Sequence, residues 1–332
     1  MRARSAAGSL ALALLLAGLA AANANPEFKL RFGSYAPEGD VIDRAAHHFK
    51  EGVARLTNGR VEITVFRSNA LGSNREMIEM AKVGSLDFTV SGSTHISRFA
   101  PILVVASLPS LWKDRDTMLR IFDGEVGAQL GTLVGRQGLN VLGWWETGFR
   151  HVSNNKRPIM KPDDIKGLKL RTLPSAVHVA YFRALGAIPT PMDWAEVMPA
   201  LQQGVIDGQE NPPSVVYPYR VFEFQKYYSL TSHVNEPNLL LMSAATFTKL
   251  PRDVQEAITT AGREATAFQR KASAEYNTGI MGELAKVMSV NEVPPDTMAH
   301  FRTVAQSVYD KAYGEIGAEG RTMIDDIVKA SK

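Results

Sequence analysis

Gly148-Phe149-Arg150, Gly167-Leu168-Lys169-Leu170-Arg171 and Asp207-Gly208-Gln209-Glu210-Asn211-Pro212-Pro213 punctuate one stretch, residues 148–213, from which the fold can be read outward. In its middle, Leu168, Leu170 and Thr172 alternate with Lys169 and Arg171, the two-residue period of a strand. Pro174-Ser175 then opens a helix with an apolar stripe of Val177, Ala180, Tyr181, Ala184 and Leu185, and Gly186 stands where a C-terminal cap belongs. His178 is expected on the polar side of that helix. Arg171 therefore stands at the carboxyl end of a strand feeding a helix, where open α/β sheets bind ligands. The stretch is expected to build half of a cleft in which Arg171 holds a carboxylate. The alternative is a surface arginine paired with an acid of the chain.

The neighbouring sequence repeats this logic. Phe28–Tyr35 alternates as a strand, Asp40 begins a helix that runs to Leu56 and ends at Asn58-Gly59, and Val61, Ile63 and Val65 form a second strand. This βαβ pattern predicts parallel pairing. Ser73-Asn74-Arg75-Glu76 is a capping box, and so is Asp193-Trp194-Ala195-Glu196, 120 residues later. Gly84 and Gly204, and Asp87 and Asp207, keep the same offset. The unit occurs twice, which predicts two similar α/β lobes facing each other. After the first copy come a short strand at Leu86-Asp87-Phe88 and a polar loop over residues 91–95. Pro101–Pro109 reads as strand-like. Thr117–Gln137 reads as a helix weakened by Gly124 and Gly127, and Asn140–Trp145 as a strand, with the crossover between lobes near Gly148. Beyond Pro213, Tyr217, Tyr219, Phe222, Phe224, Tyr227 and Tyr228 read as core and hinge-side connector. Leu239–Ser243 reads as a strand returning to the first lobe, Pro251 opens a long helix to about Val287, and helices follow from Asp296.

Composition bounds the function. With 332 residues, two domains are expected, and 45% hydrophobic content allows a sizeable core. Residues 1–24, with Arg2 and Arg4, an apolar run over Leu10–Leu19 and the small residues Ala22-Asn23-Ala24, read as a secretory signal peptide cleaved near Ala24. Removing it takes the net charge from +3 to +1, and no basic block remains to track a phosphate backbone, so no nucleic-acid partner is expected. There is no cysteine, which excludes disulfides, thiolate metal sites and an acylated amino-terminal cysteine. The sequence contains no G-x-S-x-G elbow, Walker loop or H-E-x-x-H pair. A binding module is the simpler account, and no cofactor or metal is expected. The competing readings are an exported enzyme acting on a carboxylate substrate and a binding protein that serves a sensor.

Ala70-Leu71-Gly72, Gly84-Ser85-Leu86-Asp87-Phe88, Gly148-Phe149-Arg150, Gly167-Leu168-Lys169-Leu170-Arg171, Pro189-Thr190-Pro191-Met192 and Asp207-Gly208-Gln209-Glu210-Asn211-Pro212 follow one another in this order. The chain from about residue 25 onward thereby resembles the DctP-type solute-binding proteins of TRAP (tripartite ATP-independent periplasmic) transporters. The resemblance implies an α/β, two-lobed periplasmic-binding-protein fold, each lobe a mixed sheet flanked by helices, with a long hinge-spanning helix. Residues 25–147 with about 236–275 would form lobe I, and 148–235 with about 276–332 lobe II. It implies a monomeric periplasmic receptor that closes on a small organic acid and hands it to small and large membrane subunits.

By the same resemblance, Arg171 binds the substrate carboxylate through its planar fork, which lysine does not reproduce. Arg150 is a second cleft arginine, Asn211 an amide able to donate and accept, and Trp194 an aromatic that packs on the ligand. Tyr35, Ser91, Ser93 and His95 fall where sialic-acid receptors of the family carry other polar residues, and Gly92 replaces an acid there. With Tyr35, Trp145 and Trp194, this points to a more apolar pocket and favours a hydroxy or keto monocarboxylate, branched or aromatic, over a polyhydroxylated sugar acid. Members with a bound metal use a carboxylate set that this chain lacks.

Overall fold

The structure is a computed structural model that describes residues 25–331, so the expected leader and its cleavage point lie outside the described residues. β1 (Phe28–Gly33), α1 (Val41–Leu56) and β2 (Val61–Phe66) form the βαβ unit, with β1 and β2 parallel. The Asp40 carboxylate caps α1 by accepting from the Ile42 amide, and Val41, Ile42, Ala45, Ala46, Phe49 and Val53 form its buried face. α2 (Asn74–Lys82) begins with the capping box of Ser73 and Glu76. β3 (Phe88–Gly92) takes in Ser91, and the segment read as a polar loop is the end of this strand plus a one-turn helix, α3 (Ser93–Ile96). Both are buried, and buried backbone must be paired.

Pro101–Ser107 is a 3₁₀ helix and not a strand; a short apolar run fits either, and Pro101 suits a first helical turn. Gly124 divides the next helix into α4 (Arg115–Asp123) and α5 (Glu125–Gly135). The chain turns so tightly there that a Cβ on Gly127 would lie 1.8 Å from the Phe122 carbonyl oxygen. β4 (Leu139–Asn154) leads into the second copy of the repeat, made of β5 (Lys169–Thr172), α6 (Ala176–Ala184), β6 (Ile188–Pro191), α7 (Trp194–Gln202), β7 (Gly208–Asn211) and α8 (Pro213–Val216). α2 matches α7 and α3 matches α8, residue for residue, at the 120 offset seen in the sequence. β8 (Tyr227–Ser243) returns antiparallel along the whole of β4 and then pairs with β3. α9 (Ala244–Phe247), α10 (Arg252–Val287), β9 (Ser289–Glu292), α11 (Pro295–Ser307) and α12 (Tyr309–Ala330) complete the chain.

The strands share one sheet in the order β2-β1-β3-β8-β4-β7-β5-β6, with β9 added on β8. β4 and β8 run through both halves. The 36-residue α10 does the same from outside: Val254, Ile258, Ala261 and Ala265 join the core of β1, β2 and α1, and Ile280 and Leu284 join that of α7 and α8. A third core gathers the 3₁₀ segment, α4, α5, α6 and α12. The two-lobed α/β fold with a long spanning helix is thus observed. None of the helices of eighteen or more residues among those described is apolar enough to cross a membrane.

Candidate ligand cleft

Between the two copies of the repeat lies a narrow cavity of about 40 Å³. Roomier hollows lie on the surface, one of about 560 Å³ beside Ala100, Gln129 and Ile316. The small cavity is walled by the buried ionisable groups Arg150, Arg171, His95 and Glu236. Arg171, Arg150, Asn211, Trp194, Tyr35 and His95 all line it, so six of the residues selected from sequence meet in one place.

Arg171 ends β5, where Arg171 pairs with Thr190 of the parallel β6, and it is 1% exposed. Its Nε and Nη2 both donate to the Met192 carbonyl, at 3.1 and 2.8 Å. That contact uses one edge of the guanidinium; the end-on edge, formed by Nη1 and the second Nη2 hydrogen, has no hydrogen-bond partner among the described residues. The Trp194 ring covers the group, with its centroid 5.6 Å from Cζ. No carboxylate among the described residues lies within 4.0 Å of Arg171. Burial lowers its pKa to about 10, with Glu210 opposing and Arg150 adding to the shift, and it remains a cation at neutral pH.

Arg150 sits differently. Its Nε donates to Glu210 Oε2 (2.5 Å) and its Nη2 to Glu210 Oε1 (2.8 Å) and to the Glu210 carbonyl (2.5 Å). His233 Nε2 lies 3.0 Å from the same Oε2. Burial alone would raise the Glu210 carboxyl, but the charge of Arg150 and the bonds from His233 and Arg150 hold it well below the usual carboxylate range. The fork of Arg150 is thus committed to the chain's own acid. Asn211, on the neighbouring β7, gives one amide hydrogen to Gln209 Oε1 (2.5 Å), which leaves its carbonyl oxygen and a second hydrogen.

His95 has no hydrogen-bond partner at either ring nitrogen, and Asp193 Oδ1 is 3.8 Å from Nε2. Burial first, then Arg171 and Arg150, lower its pKa to about 3, so the ring is neutral and offers one donor and one acceptor. Tyr35 Oη donates to Asn238 Oδ1 (2.9 Å), and its carbonyl accepts from Tyr219 Oη (2.6 Å).

Three expected residues stay out of the cavity wall. Trp144 and Trp145 are adjacent on β4 and point to opposite faces: Trp144 stacks on Phe122, and Trp145 is fully buried in the core of β1 and α1, its Nε1 donating to Thr266 Oγ1 (3.2 Å). Ser91 lies inside β3 with its hydroxyl buried. Ser93 sits behind the wall, its hydroxyl 3.4 Å from Glu236 Oε1. His178 is buried, not on a polar face, and its Nε2 lies 2.8 Å from the Ser107 carbonyl.

Sequence reading missed Asn74, Asn238 and Glu236, which complete the wall with Thr147, Leu173 and Val215. Polar side chains thus join the aromatic and aliphatic ones in the wall. The available signal was Glu236 itself, the only acid in the 17-residue strand β8. Glu236 also explains Gly92: a Cβ at that position would lie 2.8–3.0 Å from the Glu236 carboxylate. The acid absent at position 92 is supplied from β8.

A narrow cavity between two repeated α/β units, lined by a buried arginine with no carboxylate within 4.0 Å among the described residues, fits a solute-binding protein of the periplasmic type. The family described as "Bacterial extracellular solute-binding protein, family 7" (DctP) matches residues 32–315, and the chain belongs to it. Among its relatives is the 2,3-diketo-L-gulonate-binding periplasmic protein YiaO of Escherichia coli, 36% identical over 80% of this chain and 82% of that protein. The sugar-acid-binding protein DctPAm of Advenella mimigardefordensis, solved with galactonate, superposes with a TM-score of 0.89 at 30% identity, over 93% of this chain and 99% of that one. A TRAP periplasmic solute-binding protein of Sulfurospirillum deleyianum, solved with succinate, gives 0.86 at 31% identity, over 93% and 100%. The chain is a TRAP-type solute-binding receptor and not an enzyme.

Proposed function

We propose that this receptor captures a small hydroxylated monocarboxylic acid in the periplasm and delivers it to the small and large membrane subunits of a TRAP transporter. The observation that carries the reading is Arg171, a buried cation that lines the cavity and whose end-on edge has no protein acceptor among the described residues. A carboxylate fits that edge through two parallel hydrogen bonds. Trp194 packs over the same group, and His95 and Asn211 offer donors and acceptors in the cavity wall that suit ligand hydroxyls. The polar side chains of the wall turn the preference toward hydroxyl-bearing chains and away from branched or aromatic acids. The bound galactonate of DctPAm, a protein of the same fold, supports it.

In this reading residues 1–24 direct export and are removed near Ala24. Residues 25–147 with about 236–275 form one lobe, 148–235 with about 276–332 the other, and the monomer closes on its ligand by a hinge. The test is a melting-temperature screen of organic acids followed by small-angle scattering. A ligand bound only by the folded state raises the melting temperature, and closure reduces the radius of gyration. Shifts confined to sugars without a carboxylate, or an unchanged radius at saturation, would sink the proposal.

A further inference from the structure

Glu236 is left unexplained by the carboxylate anchor. It lies on β8, is 5% exposed and lines the cavity. Its Oε1 accepts from the Thr94 amide (2.7 Å), from Thr94 Oγ1 and from Ser93 Oγ (3.4 Å). Its Oε2 has no hydrogen-bond partner among the described residues, and no cation among them stands within 4.0 Å of the carboxylate. A buried polar group is unfavourable until something donates to it. Arg171 is the mirror case, a buried donor edge without an acceptor. One cavity thus presents an unserved donor edge on β5 and an unserved acceptor on β8, three places away in the sheet.

We propose that Glu236 determines the ligand class: it accepts a hydrogen bond from a hydroxyl that the ligand carries away from its carboxylate, and it excludes acids bearing a second carboxylate at that point. The inference rests on Arg171 as the carboxylate anchor. Burial raises the Glu236 carboxyl, with Arg150 and the Thr94 hydrogen bonds opposing, and a second carboxylate brought beside it without a cation between them is disfavoured whether it ionises against Glu236 or must take up a proton. A protein of the same fold has been solved with succinate, so the exclusion belongs to the wall of this chain and not to the fold.

Isothermal titration of wild type and Glu236→Gln with acids that differ only at the far carbon tests this. The pairs are erythronate against meso-tartrate and galactonate against galactarate. Glutamine keeps the shape and an acceptor oxygen but loses the charge. Wild type should prefer the monoacid of at least one pair by about tenfold or more, and the variant should shrink that preference by about tenfold, chiefly by gaining the diacid. A preference that the variant leaves within about threefold, or a wild type that binds the diacid tighter, overturns the assignment. If 4-aminobutyrate binds more tightly than 4-hydroxybutyrate, the donor is an ammonium and the hydroxyl assignment falls. Should Glu236→Gln fail to fold, Glu236→Asp keeps the charge with a shorter reach and should weaken the monoacid without admitting the diacid. If no acid binds wild type at all, the anchor itself is wrong. Acids lost by Arg171→Lys but indifferent to Glu236→Gln leave the anchor standing and remove only Glu236.

Discussion

Replacing Arg171 with lysine separates charge from geometry. The guanidinium lines the cavity with two edges: its Nε and Nη2 edge holds the Met192 carbonyl at 3.1 and 2.8 Å, and its end-on edge has no protein acceptor among the described residues. Lysine has a single nitrogen. It can serve Met192 or the ligand with one good hydrogen bond, and the second carboxylate oxygen then stays buried without a partner. Removing one side of a buried charged pair costs on the order of 3–5 kcal/mol. Because the charge survives in Arg171→Lys, we put the loss near 2 kcal/mol, roughly 30-fold in affinity. The assay is isothermal titration against whichever of galactonate and succinate raises the wild-type melting temperature. A dissociation constant within about threefold of wild type would refute the two-pronged anchor. The anchor would then have to be sought at Asn211 or His95 and not at Arg150, whose fork is already occupied.

Three further outcomes follow from the site's electrostatics and packing. Glu210→Gln strands Arg150 as a buried unpaired cation and should lower stability in urea by about 3–5 kcal/mol; a loss below about 1 kcal/mol would show that the pair is not structural. Trp145→Phe should lower the melting temperature, at a cost of about 1–3 kcal/mol, while ligand affinity changes less than about twofold, since Trp145 fills a core and not the cleft. Burial holds His95 and His151 at about 3 and His178 at about 4, whereas the unfolded chain takes up these protons near 6.5, so stability falls as pH drops through that window. Asp40, pushed up to about 7 by burial, opposes this with one proton that the unfolded chain releases above about 4. Glu236, also raised by burial, opposes in the same sense, so three histidine protons outweigh the carboxyl protons by one to two, on the order of 1–3 kcal/mol per pH unit near pH 5. Calorimetry from pH 7 to 4.5 checks it, and a melting temperature that holds steady or rises toward pH 4.5 contradicts it.

The parts legible in the sequence were those with local causes. Ser73 and Asp193 announce their helices through hydrogen bonds spanning three residues, and Arg171 is placed by a strand period and a helix start. What escaped depends on partners far along the chain. β6 contains Pro189 and Pro191, which argue against a strand except at a sheet edge, and it forms the edge. β9, Ser-Val-Asn-Glu, has one apolar residue and exists because β8 offers it a free side. Trp145 reads as pocket lining, yet strand geometry sends it and its neighbour Trp144 into different cores. Arg150 looked free because Glu210 lies 60 residues away in sequence. Glu236 went unread because charge inside a strand has no local signature of what it faces.

β4 and β8 form a torsion bar. At about 3.3 Å per residue, strands of this length reach roughly 50 Å, and they carry the sheet from one half of the molecule to the other without a break in the chain. Their pairing slips between Val141 and Gly143, between Glu146 and Phe149, and between Arg150 and Val152, and Gly148, at φ +101°, lies within the middle slip. Thr147 and Arg150, on either side of that glycine, are cavity wall. In the proposed closure, a twist of one half against the other would fall on residues that border the cavity, so the grip on the solute and the stiffness of the waist would be one mechanical quantity.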